Sequence, residues 1–124
     1  MPGQNEISIK DLTLRIGTPD APILVDVCID EDSALDPRLI PGAARHPFAT
    51  IETRAEALKG RDVVNICQKG LKLSAGAAAI LRAHGARARH LAGGIVAWTG
   101  AGLPAIPAYA LPAKHVVAPE RPDA

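Results

Sequence analysis

Two short runs limit what this chain can fold into. Ile23-Leu24-Val25-Asp26-Val27 and Asp62-Val63-Val64-Asn65-Ile66 are rich in β-branched residues and almost entirely apolar. A strand that is apolar on both faces must be covered on both faces, as happens in a parallel sheet with helices on either side. Helical signals alternate with these runs. Apolar residues at 7, 9, 12, 14 and 16 follow a helical repeat. Ser8 is placed to cap a helix starting near Ile9, and Gly17, Pro19 and Pro22 end it. A second helix is expected over Thr53–Leu58. A third, alanine-rich helix is expected over Ser74–His84, with Ser74 as its cap and Gly85 closing it. A short strand is expected near 87–92, and a last helical turn or two over Ile95–Thr99. Residues 28–45, with their acids, prolines and the Pro41-Gly42 turn, read as loop. The pattern predicts an α/β layered fold with a mainly parallel central sheet flanked by helices. After Leu103 the composition turns to proline and alanine. The expected organisation is one domain over 1–104 and an extended or disordered tail over 105–124.

Composition narrows the function. The chain has 124 residues, 48% of them hydrophobic, enough for the core of one domain. A net charge of +1 gives no general attraction to nucleic acid or to an anionic membrane. Aromatic residues are 2%, namely Phe48, Trp98 and Tyr109, too few for base-stacking platforms. No apolar run reaches the roughly 20 residues of a membrane helix. The opening MPGQNEISIK lacks the pattern of a secretion signal. The reading is a soluble, cytoplasmic protein with neither nucleic-acid nor membrane partners. Its two cysteines, Cys28 and Cys67, are then free thiols.

Cys67 carries the chemical argument. It directly follows the second apolar run, and sites in parallel α/β sheets lie at the carboxyl ends of strands. The loop after it leads into a helix, whose first N–H groups lack intrahelical partners and, with the helix dipole, stabilise negative charge. Lys69 and Lys72 add positive charge if they fold over the loop. The arrangement suits a sulfur nucleophile facing an anion pocket. A packed, inert thiol is the alternative, because buried cysteines are common.

Four motifs, in order, resemble the rhodanese-like family, over about Ile7 to Pro104. They are PILVDV (22–27), LIPGAAR (39–45), VVNICQKG (63–70) and HLAGGIVAWTGAGLP (90–104). The resemblance implies a single rhodanese-like domain of three layers and a sulfurtransferase working by a ping-pong reaction. Cys67 would take a sulfur from a small anionic donor such as thiosulfate, become a persulfide, and pass that sulfur to cyanide or to a thiol or protein acceptor. The main-chain N–H groups of Gln68, Lys69, Gly70, Leu71, Lys72 and Leu73 would bind substrate and persulfide. Ser74 would support the loop. Asp26 would orient the loop or simply bond a turn at its own strand end. Neither cofactor nor metal is implied.

The loop departs from the usual family pattern. Lys72 stands where arginine is usual, Leu73 stands where serine or threonine is usual, and Ser74 comes one position late. This Cys-x-x-Gly-x-x-x-Ser spacing is similar to rhodanese domains of some chromate-resistance proteins. Lysine cannot form arginine's two-pronged contact with an oxyanion, so thiosulfate activity is expected to be weak. The alternative is a low-activity module that binds an oxyanion or senses redox state. Arsenate reductase or phosphatase chemistry ranks lower, because Leu73 occupies the position of the arginine that those loops need.

Other residues have simpler expected roles. Cys28 replaces the arginine that commonly follows Asp-Val in the family. It reads as a packed thiol or, if its strand neighbours that of Cys67, a resolving thiol. His46, His84, His90 and His115 show no metal spacing and read as surface or satisfied polar residues. Arg45 reads as solvated or at the pocket mouth, Trp98 as core, and Gly93-Gly94 as a tight strand-to-helix turn.

Overall fold

The computed structural model describes residues 5–28 and 38–107. Five strands form one sheet: β1 (Glu6–Ile7), β2 (Ile23–Asp26), β4 (Ala44–Arg45), β5 (Asp62–Ile66) and β6 (Arg87–Leu91). Their order is β1-β6-β5-β2-β4, and every pairing is parallel. Two further short strands, β3 (Arg38–Leu39) and β7 (Ile106–Pro107), pair antiparallel. The helices are α1 (Ile9–Arg15), a 3₁₀ helix over Phe48–Arg54 that runs into α2 (Ala55–Leu58), α3 (Lys72–Ala83) and α4 (Gly94–Gly100).

Strand alternation divides the core into two halves. On one face, Val25, Val27, Val63 and Cys67 pack with Ile51, Leu58, Ala77, Ala78 and Leu81 from the 3₁₀ helix, α2 and α3. On the other face, Leu24, Val64 and Ile66 pack with Leu12 of α1 and with Ile95 and Trp98 of α4. The two apolar runs are therefore covered on both faces, and the fold has three layers.

Several local expectations hold. Ser8 Oγ accepts from the Asp11 N–H at 3.0 Å and caps α1. Gly85 takes φ +100° just past α3, the left-handed conformation that a helix-ending glycine supplies cheaply. Trp98 is buried, and its indole N–H donates to Pro104 O at 2.7 Å. Other expectations need correction. The region read as loop contains β3 and β4, each of two residues. The 3₁₀ turn begins at Phe48, earlier than the helix expected from Thr53. Helix α3 starts at Lys72, not after a Ser74 cap. Ile106 and Pro107 pair with β3, and Ala105 packs on the core beside Leu103. Residues 108–124, including His115 and most of the expected tail, lie outside the described residues. No helix among the described residues is long and apolar enough to cross a membrane.

The order of the strands places the site. The chain runs from β2 outward to β4, then returns to lay β5 on the other side of β2. The winding reverses between β2 and β5, and sites in open α/β sheets lie at the carboxyl ends of the strands at such a point. Cys28 follows β2 there, and Cys67 follows β5. Leu81 is wholly buried between α3 and the sheet. Leu81→Ala is expected to cost about 2–5 kcal/mol, read as a lower urea midpoint at unchanged slope.

Candidate active site

The cleft after β5 has a volume of 490 Å³ and is lined by Cys67, Gln68, Lys69, Leu71, Lys72 and Leu73. Cys67 is 5% exposed and belongs to the cleft lining. Lys69, Leu71 and Lys72 are exposed around it, Leu71 at 64%. Five of the six residues expected to bind substrate thus share one cavity with the thiol.

Gly70 does not line that cavity. It is buried at φ +70°, and a Cβ there would come within 2.5 Å of Gly93 N and Leu91 O. Its role in this loop is to let the backbone turn tightly against the end of β6. Gly94 makes the matching approach from the other side at φ +61°, where a Cβ would collide with the carbonyl oxygens of Cys67 and Gln68. Those two carbonyls accept the N–H groups of Ile95 and Val96, each at 2.9 Å. The first amides of α4 are therefore spent on the cysteine loop, tying it from behind.

The N-terminus of α3 is left open. Its N-cap is Leu71, which has no side-chain acceptor, and no main-chain carbonyl among the described residues takes the N–H groups of Lys72, Leu73 or Ser74. A polar cap would have occupied one or more of these donors. Ser74 is not that cap. It is wholly buried within the first turn, and its Oγ shares a hydrogen bond of 3.1 Å with Cys67 Sγ. When the sulfur is ionised, the hydroxyl is the donor.

Asp26 is buried, and its Oδ1 accepts the Cys28 N–H at 3.0 Å, which shapes the end of its own strand. Arg45 bonds the same short segment, from Nη2 to Cys28 O at 3.0 Å. This makes it a structural tie and not a solvated side chain. Cys28 is buried in the same core cluster as Cys67, and both are free thiols.

Two histidines fit the expected surface or satisfied roles, and His46 departs from them. His46 is buried, with Nε2 3.0 Å from Thr50 O and Nδ1 lacking a partner among the described residues. His90 Nε2 pairs with Glu6 at 3.0 Å, and exposed His84 pairs with Glu52 at 3.1 Å. No cluster of three His, Cys, Asp or Glu side chains able to hold a metal occurs among the described residues.

The sequence reading missed the tie from α4. The only local signal was the glycine pair 93–94, and nothing near it indicated that its partner would be the loop carrying Cys67.

The family model for the rhodanese-like domain matches residues 8–101. The chain belongs to the rhodanese-like family. It is similar to a protein of Allochromatium vinosum named sulfurtransferase, with 33% identity over 103 residues, covering 82% of this chain and 94% of that one. The fold is similar to a rhodanese-like domain protein of Staphylococcus aureus, with TM-score 0.65 and 27% identity over 77% of this chain and 91% of the other. It is also similar to part of a thiosulfate sulfurtransferase from Pseudomonas aeruginosa, with TM-score 0.69 and 28% identity, covering 89% of this chain and 21% of that one. In this rhodanese-like domain the Gly-Gly segment acquires a physical role: it lets a helix end approach the cysteine loop without side chains in the way.

That role separates two glycines. Gly102, at φ +80°, has nothing within 4 Å of an added Cβ. Gly102→Ala is expected to cost about 1–2 kcal/mol, the left-handed strain alone. Gly94→Ala is expected to cost a further ~1–3 kcal/mol from the collision, measured by urea unfolding of both variants.

Proposed function

We propose that this rhodanese-like protein is a sulfurtransferase in which Cys67 carries the transferred sulfur. The observation behind this reading is the position of Cys67: it lines a cleft, and its Sγ bonds the hydroxyl of Ser74 in the first turn of a helix whose opening N–H groups have no main-chain partner among the described residues. A hydroxyl on the sulfur and unclaimed amides in the same helical turn stabilise negative charge at this end of the cleft.

In the proposed reaction the Cys67 thiolate attacks the outer sulfur of a donor such as thiosulfate. A new sulfur–sulfur bond forms as the donor's own breaks, and sulfite leaves with the electron pair. The persulfide anion rests among the amides of the loop. An acceptor thiolate or cyanide then attacks its outer sulfur, and Cys67 leaves as thiolate. Lys69 and Lys72, exposed at the rim, draw the anionic donor in by charge. Lysine offers a point charge where an arginine would offer two parallel donors, so thiosulfate is held less firmly than an arginine would hold it. Asp26 acts indirectly, by fixing the end of the neighbouring strand.

Incubation with thiosulfate is expected to add the mass of one sulfur to Cys67, and cyanide is expected to remove it. Cys67→Ala should show neither event, while Cys28→Ala should show both. A wild-type chain that takes up no sulfur from thiosulfate or from an organic persulfide overturns the reading. Lys72→Arg is expected to raise kcat/KM for thiosulfate about tenfold, measured with cyanide as acceptor. An unchanged value would mean that Lys72 does not face the donor.

A further inference from the structure

A second charged cleft lies at the opposite end of the strands. It has a volume of 360 Å³ and is lined by Arg15, Arg82, Arg87, Arg89, Asp62 and Asn5, with Ala88 between two of the arginines. Asp62 opens β5 and Arg87 opens β6, so the cleft is at the amino ends of the strands. Cys67 lies five residues further along, about 16 Å away at the usual rise of a strand.

The charge here is concentrated. Four guanidinium groups and one carboxylate leave a local charge of +3. The whole chain carries +1, so everything outside the cleft sums to −2. Arg82 Nη1 donates to Ala88 O at 2.9 Å, and Arg87 Nη1 donates to Gly60 O at 2.8 Å. These bonds to main chain fix the two head groups, while each guanidinium keeps further N–H donors. Asp62 sits between Arg15 at 3.6 Å and Arg89 at 3.8 Å, too far for strong hydrogen bonds and partly exposed. One carboxylate held this loosely neither neutralises the cluster nor fills its donors.

We propose that this cleft is a second anion site, distinct from the cysteine loop, for a compact ligand with two linked phosphate groups. Guanidinium forks match the paired oxygens of phosphate. Two phosphates supply charge enough to compete with Asp62, and the volume exceeds what a single phosphate fills. The lining has no aromatic side chain, so a nucleobase would find nothing to stack on.

The test is calorimetric titration of the full chain at low salt with inorganic diphosphate, inorganic phosphate and a nucleoside diphosphate, beside ¹⁵N spectra of the wild type with diphosphate. Diphosphate is expected to bind at least about tenfold tighter than phosphate, and added salt is expected to weaken it. Amide shifts should centre on residues 15, 62, 82 and 87–89. The R15Q/R89Q double variant should lose at least about tenfold in affinity and keep its sulfur-transfer rate. Equal affinity for both diphosphates identifies a free diphosphate as sufficient. That result supports the site, whereas a clear preference for the nucleoside form overturns a compact ligand, because nothing in the lining accounts for added binding by the nucleoside. The proposal fails if phosphate and diphosphate bind equally, if R15Q/R89Q binds diphosphate as the wild type does, or if the shifts fall only on residues 67–74. The spectra decide the matter even should the double variant not fold.

Discussion

Two hydrogen bonds, from Ile95 and Val96 to the carbonyls of Cys67 and Gln68, set the shape of the cysteine loop. A loop that must present its N–H groups to a ligand turns its carbonyls elsewhere, and buried carbonyls need donors. The start of α4 supplies them. The approach is possible because Gly70 and Gly94 have no side chains. Both stand at positive φ, where glycine is favoured in any case. The same two residues thus satisfy a steric demand and a conformational one.

This tie explains how one loop can serve two helices. It accepts hydrogen bonds from α4 on one side and leads into α3 on the other. The carbonyls of Cys67 and Gln68 are occupied, while the first amides of α3 are left without main-chain partners among the described residues. An apolar N-cap, Leu71, keeps them so. Ser74, which would be an obvious cap one turn earlier, is instead buried against the sulfur. The sheet fixes the frame: β5 is held on both sides by β2 and β6, so the point where its chain leaves the sheet is rigid. Rigid placement is what the proposed role of Cys67 requires, because donors help most when they need not reorganise.

Much of the frame was legible in local sequence. The runs at 23–27 and 62–66 are apolar on both faces and became β2 and β5. Ser8 and Gly85 mark helix ends through their own backbone chemistry, and Trp98 sits in the core as its spacing from Ile95 suggested. The two-residue strands β1, β3, β4 and β7 were not legible. So few residues carry no periodicity, and their conformation is imposed by the neighbour they pair with. The start of α3 was misread for a related reason. A serine at a helix start usually caps, but here its hydroxyl had a sulfur within reach. The burial of His46 and the bond from Arg45 to Cys28 O likewise depend on β4 lying beside β2.

The sequence by itself determined the elements that matter most: which runs must be covered on both faces, that a thiol follows one of them, and that a helix begins shortly after. These are consequences of side-chain polarity and backbone preference, which act within a few residues. The tertiary structure alone decided which carbonyls meet the amides of α4, which hydroxyl meets the sulfur, and that four arginines from α1, α3 and β6 gather around Asp62. Each depends on strand register and helix docking between segments far apart in the chain, where a shift of one residue would exchange the partners.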